Sequence, residues 1–591
     1  MRSTGRLREV SLAAATLCVA EVCVVALCAH ADIVLVDATA GSGLEAYTHS
    51  PNYLAVPGTN EWTMGGIGLA DFDGDGWCDI FVPRGGTGYD RLYRNNGNGT
   101  FSDVALAAGL AFAHAGNGVA CADFDRDGDV DIYLTSYGTG TNNLGQPGRH
   151  RLYRNDGGVF ADIAVAAGVA FSAPTASVAD GAAWGDFDLD GDLDLSVAGW
   201  NLSAPGNRLF RNDSTASSAR FVDVTGAAVG MPPAWGFQPT FADLSGDGYP
   251  ELLLAADFLT SQAFRNDRNG AFSIVTSAWG MGVDANGMGS CIGDFDRNGA
   301  PDWFVTSIHM TKPTAGMRNG NALYMNSGTG ASTEASVAWG CNDGGWGWGA
   351  VAVDLDSDGW EDIVEVNGRN AGEWAAESEY IYRNRGAPHF EFTRLAAESG
   401  LTLAGDARCV ASFDYDRDGD LDLVIVTNSG PLKLYRNDSP RPGGSLVVEL
   451  RAGAGSRCAP HGIGAVVEVT SGGVVQRRWV HSGSGFHSSS EPVVHVGTPG
   501  ATELDRVAVL WPSGQRTEVV GAPASGRLVL EAPAAADLDA DGLVGLDDLA
   551  TLLVEWNAVD RERPEMRRAD LVGDGRVGAR DVAALLAAWS R

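Results

Sequence analysis

The run DFDGDGWCD, Asp71 to Asp79, decides how this chain is read, because its design returns six more times at nearly even spacing. Asp71, Asp73 and Asp75 alternate, Gly76 follows, and Asp79 closes the run. Three carboxylates at i, i+2 and i+4 crowd like charges together. A chain that keeps them through repetition is expected to neutralise them with a hard cation, which oxygen ligands suit. Calcium is the first candidate. Gly76 permits positive φ so that the carbonyl of Trp77 can join the cage, and Asp79 supplies the closing carboxylate.

The other copies are DFDRDGDVD (Asp123, Asp125, Asp127, Asp131), DFDLDGDLD (Asp186, Asp188, Asp190, Asp194) and DLSGDGYPE (Asp243, Ser245, Asp247, Glu251). DFDRNGAPD (Asp294, Asp296, Asn298, Asp302), DLDSDGWED (Asp354, Asp356, Asp358, Asp362) and DYDRDGDLD (Asp414, Asp416, Asp418, Asp422) complete the set. A hairpin turn needs two such residues rather than five fixed positions, so turn formation alone does not account for the pattern. The fourth copy is the weakest, since Ser245 and Glu251 replace aspartates.

Each loop sits in a unit of about 50 to 60 residues, a period of propeller blades rather than helical solenoids. Small residues such as Ala182-Ala183-Trp184-Gly185 precede the loop and suit a crowded innermost strand; an apolar burst such as LLLAADF follows it. A third element recurs as LYRN or a close variant, ending at Asn95, Asn155, Asn212, Asn266, Asn326, Asn384 and Asn437, and a fourth reads like FSDVALAAGL from Phe101. Four short strands in each of seven units predict a mainly β fold, a seven-bladed β-propeller. The seventh LYRN is followed by DSPRPGG instead of a fourth strand. Val34 to Leu44, VLVDATAGSGL, carries the fourth-strand pattern and is expected to complete that last blade, since an open sheet edge is costly.

Repeated DxDxDGxxD hairpins of this kind resemble the FG-GAP or VCBS repeats of bacterial surface proteins and of integrin α-subunits, over roughly residues 32–443. The resemblance implies metal loops on the lower face and partners on the upper one. Tyr137, Trp200, Phe258, His309 and Trp374 fall in or beside upper-face connections, where each could stack on a sugar ring or protein or simply serve blade packing.

With 591 residues and 45% hydrophobic content the chain has material for several globular domains. A formal charge of -34 argues against nucleic acid or an anionic membrane as partner. The amino terminus has Arg2, Arg6 and Arg8, an apolar stretch from Val10 to Ala29, and Ala29-His30-Ala31 before Asp32. That is the pattern of a secretory signal cut after Ala31, interrupted by Glu21, and predicts a secreted or extracellular protein. Leu27 before Cys28 disfavours lipid attachment. Cys18, Cys23 and Cys28 would leave with the signal; Cys78, Cys121, Cys291, Cys341, Cys409 and Cys458 remain, and buried free thiols are expected of them.

From Ser445 the pattern changes to alternating strands, predicting a small β domain over 444–532. HGIGAVVEVTSGG, GSGFHSSS and VAVLWPSGQ resemble the ASPIC/UnbV domain, with Cys458-Ala459-Pro460 departing from the polar turn expected before HGIGA. His481, His487 and His495 are read as ordinary strand histidines. Over 533–591 the period becomes helical. DLDADGLVGLDD offers Asp537, Asp539, Asp541, the carbonyl of Leu543, and Asp548 at the twelfth position of a full-length EF-hand calcium loop. Leu549, Leu552, Leu553 and Trp556 make an apolar helical face that returns 33 residues later as Val582, Leu585, Leu586 and Trp589. The second loop keeps Asp570, Asp574 and Asp581 but has Val572 where a ligand belongs. The pair resembles a dockerin, which implies docking to a cohesin-like partner.

The sequence contains no GxSxG elbow, HExxH helix or GxxxxGK[ST] loop. The leading expectation is a calcium-binding recognition or scaffold protein whose propeller binds a protein or glycan in cell adhesion. A polysaccharide lyase or glycoside hydrolase is the alternative, and a purely structural matrix component the third.

Overall fold

A computed structural model describes residues 33–50, 63–85, 88–111, 115–136, 149–170, 180–200, 202, 206–215, 217–313, 318–369, 372–375, 377–395, 397–403, 405–453, 455–539, 543–556, 569–571 and 576–589. The leader, Tyr137, Asp541, Val572 and Asp574 lie outside the described residues.

Residues 67–437 supply seven successive antiparallel sheets, four strands to each of the first six and three to the seventh. In the first, Ile67–Ala70, Asp79–Val82, Arg91–Asn95 and Phe101–Asp103 pair in chain order. The others repeat this scheme. Each nine-residue loop ends on the first residue of the second strand, and each LYRN element ends on the last residue of the third. The first strand of every sheet lies against the first strand of the next, and that of the seventh returns to that of the first. Small residues make this approach possible: a Cβ added at Gly68 would lie 2.6 Å from Cys121 Sγ, and one at Gly118 would lie 2.2 Å from the Asp180 carbonyl oxygen. The apolar bursts are buried, as with Ile80, Phe81 and Val82.

The seventh sheet, Ala407–Phe413, Asp422–Thr427 and Leu432–Asn437, takes its fourth strand from the other end of the chain. Leu35–Asp37 pairs antiparallel with it, Leu35 opposite Asn437. Ser439 Oγ accepts the Val34 N–H at 3.0 Å across 405 residues of chain.

A second β unit begins at Gly443. Gly443–Arg451 lies between Val493–Pro499, antiparallel, and Gly526–Glu531, parallel, while Val474–Trp479, Val466–Ser471, Glu503–Leu510 and Arg516–Pro523 form a second sheet. Its core of Leu446, Val448, Val467, Val507 and Trp511 continues into Phe124 and Trp184 of the seven-sheet body.

GSGFHSSS, between these strands, inserts among the innermost strands. Ser488–Ser489 pairs in parallel with Ile67–Gly68, Gly485 and Ser290 exchange backbone hydrogen bonds at 2.7 Å, and Val119 N–H donates to the His487 carbonyl at 3.0 Å. The His487 N–H donates to Gln238 Oε1 at 3.0 Å, and Phe486 lies fully buried between Phe237 and Trp348. The three strand histidines are not brought together. His487 is buried on the innermost strands, His495 Nε2 meets Ser445 Oγ at 2.7 Å, and His481 Nδ1 lies 3.2 Å from the Trp479 carbonyl.

The tail holds helices Leu546–Val554 and Ala579–Ala587, packed on one another through Leu552 and Leu585. The predicted apolar face divides: Leu549, Val582 and Trp589 pack inward, whereas Leu553 and Leu586, equivalent in the two halves, are each 53% exposed. All six described cysteines are buried and free, and among the described residues no helix is long and apolar enough to cross a membrane.

Candidate metal centres

Each loop folds on its own side chains. The Gly N–H at the sixth position donates to the first aspartate: Gly76 to Asp71, Gly128 to Asp123, Gly191 to Asp186, Gly248 to Asp243, Gly299 to Asp294, Gly359 to Asp354, and Gly419 to Asp414. Two backbone positions are left-handed in all seven loops. The sixth is always glycine; the fourth is glycine twice and otherwise Arg126, Leu189, Arg297, Ser357 or Arg417, with φ of 52–62°. A non-glycine residue there costs about 1 kcal/mol, so five loops hold a strained residue in place.

The folding brings the predicted acids together. In five groups, Asp71/Asp73/Asp79, Asp123/Asp125/Asp127, Asp186/Asp188/Asp194, Asp294/Asp296/Asp302 and Asp354/Asp356/Asp358, one oxygen from each residue lies within 4.8 Å of the others. Buried oxygens in these loops lack a protein donor: Asp71 Oδ1, Asp125 Oδ1, Asp188 Oδ1, Ser245 Oγ, Glu251 Oε1 and Asp294 Oδ1. A buried carboxylate oxygen without a donor carries its full desolvation cost, which a divalent cation would remove. Burial first, then neighbouring carboxylates, push Asp79 and Glu251 up to about 8 and Asp123 and Asp190 up to about 7. The donor set, all oxygen and clustered, fits calcium.

The closing residue does more than the sequence suggests. One oxygen of Asp79, Asp131, Asp194, Glu251, Asp302, Asp362 and Asp422 accepts the N–H of the loop's second residue at 2.7–3.2 Å. In six loops the other oxygen accepts the N–H of the LYRN asparagine at 2.7–2.8 Å. The ninth position is therefore a staple between loop and third strand, and each oxygen keeps one lone pair for an ion.

Sequence reading missed what the seven asparagines do. Each Nδ2 donates to the eighth carbonyl of its own loop at 3.0–3.3 Å. The same nitrogen donates to the second carbonyl of the preceding sheet's loop at 2.7–3.0 Å: Asn95 to Tyr415, Asn155 to Phe72, Asn212 to Phe124, Asn266 to Phe187, Asn326 to Leu244, Asn384 to Phe295 and Asn437 to Leu355. These bonds run loop to loop around the whole ring. The available signal was that asparagine alone never varies in the seven LYRN copies.

In three loops a guanidinium binds a predicted ligand. Arg268 binds Asp247 Oδ2 at 2.6 and 2.8 Å, Arg383 lies 2.5 Å from Asp356 Oδ2, and Arg441 binds Asp418 Oδ2 at 2.6 Å. The fourth loop is thus weakened by Arg268 as well as by Ser245. Asp243, Asp414 and Asp416 are raised by burial like their counterparts. In the tail, Asp548 accepts the Leu538 and Gly545 N–H groups and Asp581 the Gly578 N–H, each at 2.6 Å; these twelfth-position residues cap their helices. Asp537 and Asp570 are buried and Asp539 is exposed.

At the opposite end of the strands Trp200 packs 4.3 Å from Trp235 with half-exposed Phe258 beside them, and Trp374 packs 4.7 Å from Trp346. His309 Nδ1 lies 3.0 Å from Asp343 Oδ1. Glu377 accepts the Trp346 N–H at 3.0 Å and is pushed up to about 7, by burial above all.

Residues 32–134, 186–254 and 246–305 match the FG-GAP-like repeat, and 455–537 match the domain described as ASPIC and UnbV. Cartilage acidic protein 1 of Xenopus tropicalis is 32% identical over 234 residues, 38% of this chain and 33% of that protein. The Mus musculus protein of the same name is 34% identical over 211 residues, 34% of this chain and 30% of its own. The chain thus spans about a third of the length of the curated relatives it matches. Among solved structures, the exotype rhamnogalacturonan lyase YesX aligns with a TM-score of 0.36 and 15% identity over 63% of this chain and 72% of that one.

Proposed function

We propose that this chain is a secreted, calcium-dependent recognition scaffold: a seven-bladed propeller whose ions hold the lower face and whose upper face engages a protein or glycan. The observation that carries the reading is the convergence of carboxylates in five of the seven loops, each of which also holds a buried carboxylate oxygen without a hydrogen-bond donor. An ion in such a cluster offsets the repulsion among its carboxylates, and so fixes the loop that joins the first and second strands. The closing acid passes that order to the third strand, and the asparagine ties it to the loop of the preceding sheet. The upper-face connections are mounted on this ring.

The tail is read as a dockerin-like module for a cohesin-like partner, supported by Leu553 and Leu586 standing exposed at equivalent points of two capped helices. Equilibrium dialysis of chelated protein against labelled calcium tests the central claim. Binding of several ions per chain, with loops one, two, three and five filling before loops four, six and seven, whose ligands Arg268, Arg383 and Arg441 contact, is the expected result. Fewer than two ions at millimolar calcium would remove the reading.

One observation favours a second reading, a polysaccharide-active enzyme. Glu377, half-buried and poised near neutrality beside the Trp346–Trp374 pair, is placed as a general acid or base would be. Release of new sugar ends from pectic or related polysaccharides, lost in Glu377→Gln, would bring this reading forward.

A further inference from the structure

We infer that the sixth loop takes no metal ion: the guanidinium of Arg383 is its resident cation, and the C-terminal β unit is anchored there whether or not calcium is bound elsewhere. The inference rests on the calcium reading of the other loops and narrows it.

Arg383 has counterparts that behave differently. In the second, third, fourth and seventh sheets the arginine before the ring asparagine is followed two residues on by an aspartate, and the two pair outside the loop. Arg154 meets Asp156 at 2.9 Å, Arg211 meets Asp213 and Arg265 meets Asp267 at 2.7 Å, and Arg436 meets Asp438 at 2.6 Å. Those arginine side chains are 40–47% exposed. In the first sheet Asn96 stands in the aspartate's place and Arg94 is exposed, and the fifth has Met325 instead of an arginine. The sixth alone has a like charge there, Arg385, which repels the arginine instead of holding it outside. Arg383 turns inward: its side chain is 5% exposed and lies 2.5 Å from Oδ2 of the fully buried Asp356.

Two further guanidinium groups close on the same loop. Arg297 Nε donates to the Gly359 carbonyl at 3.0 Å and another of its nitrogens to the Asp358 carbonyl at 3.3 Å. An Arg478 nitrogen donates to the Gly359 carbonyl at 3.2 Å, and Arg478 Nε lies 3.3 Å from Glu361 Oε1. Three fixed positive charges thus stand against the carboxylates of this loop, and a divalent ion would have to share Asp356 with a guanidinium in a site shielded from water, where like charges repel strongly. An arginine cannot be deprotonated in a protein, so this cation is lost neither to chelator nor to pH. The C-terminal β unit docks on the loop so neutralised. Asp354 Oδ2 accepts both the Gly359 N–H of its own loop at 2.8 Å and the Gly497 N–H of the β unit at 3.0 Å, and Ser357 Oγ meets Ser445 Oγ at 3.3 Å. Asp354, Asp356 and Ser357 are buried under this contact, whereas Asp73 and Asp75 of the first loop are exposed.

The experiment is equilibrium dialysis of the full chain against labelled calcium, beside Arg383→Gln and Arg385→Asp. The second variant gives Arg383 the outward partner that its counterparts have, at a half-buried position outside the loop, and decides the count should Arg383→Gln fail to fold. Each variant is expected to bind one ion more than the parent. Hydrogen exchange of strand Val493–Pro499, followed in parallel, should quicken on chelation at least tenfold more in Arg383→Gln than in the parent. Equal ion counts in parent and Arg385→Asp, or equal quickening of the strand in parent and Arg383→Gln, would overturn the assignment. Ions in the parent with no gain in either variant sink this inference alone; no ion in the parent and one in each variant would sink the calcium reading of the other loops and leave this one standing.

Discussion

The two ends of the seven sheets treat acidic residues in opposite ways. At the loop end the first and ninth residues are acidic in all seven loops, carboxylate oxygens converge, and several find no protein donor. At the other end the buried acids differ from sheet to sheet, and none recurs in all seven. Asp284 accepts from Tyr324 and Ser261 at 2.5 Å each, Glu365 accepts from Asn321 at 2.6 Å, and Glu379 has no partner on either oxygen. Burial pushes Glu365 and Glu379 up to about 8. A cluster of carboxylates is relieved by a divalent ion, a solitary one by a proton. The first end should therefore answer to chelator and the second to pH.

The largest effect expected of that contrast is on calcium removal. Each site filled at about a thousandfold excess over its Kd stabilises the fold by about 4 kcal/mol. Several such sites make a fall in Tm of more than about 10 °C on chelation the expected outcome in scanning calorimetry. An unchanged Tm would reduce the loops to turns.

Next comes Asn155→Ala, which leaves the buried Phe72 and Val130 carbonyls without their donor. A loss of about 2–4 kcal/mol in denaturant unfolding is expected, against almost none for exposed Asn96→Ala. Equal losses for the two would show that the ring of asparagines does not hold loops together.

The pH arm is smaller. In saturating calcium, Glu379 carries its proton in the folded state at pH values where the unfolded chain has released it. Its contribution to stability is complete below about 4.5, declines as pH rises, and is gone above about 8. Glu379→Gln should therefore gain on the parent between pH 5 and pH 8.5 by thermal melts. A difference constant across that range would mean that something other than a proton neutralises Glu379.

The smallest change in stability is expected at the tail, where Leu553→Asp with Leu586→Asp should alter unfolding by no more than about 0.5 kcal/mol per site. The same pair should abolish retention on an immobilised cohesin domain; undiminished retention would place the docking surface elsewhere.

The sheets, their order and the closing strand were legible because a repeat multiplies every weak local signal by seven. Asp71 to Asp79 could be aligned with six copies, and a missing fourth strand after Asn437 pointed to Leu35–Asp37. The convergence of the loop carboxylates was legible for the same reason. What occurs once was not: the insertion of Phe486 and His487 among the innermost strands depends on contacts more than 200 residues away in sequence, such as His487 with Gln238. The second role of the asparagines was visible as invariance but not as geometry, since the carbonyl each one reaches lies in the preceding unit. Arg268 and Arg383 show no motif, yet each sets a guanidinium on a loop carboxylate.

The pairing of Leu35–Asp37 with Leu432–Asn437 also sets a timetable. A ribosome adding about 5–20 residues per second needs roughly 20–80 s to cover the 405 residues between Val34 and Ser439. Throughout that interval Leu35–Asp37 lacks its partner strand. Closure of the seventh sheet therefore waits on Leu432–Asn437, and any factor that guards the nascent chain has to shield Leu35–Asp37 until that strand arrives.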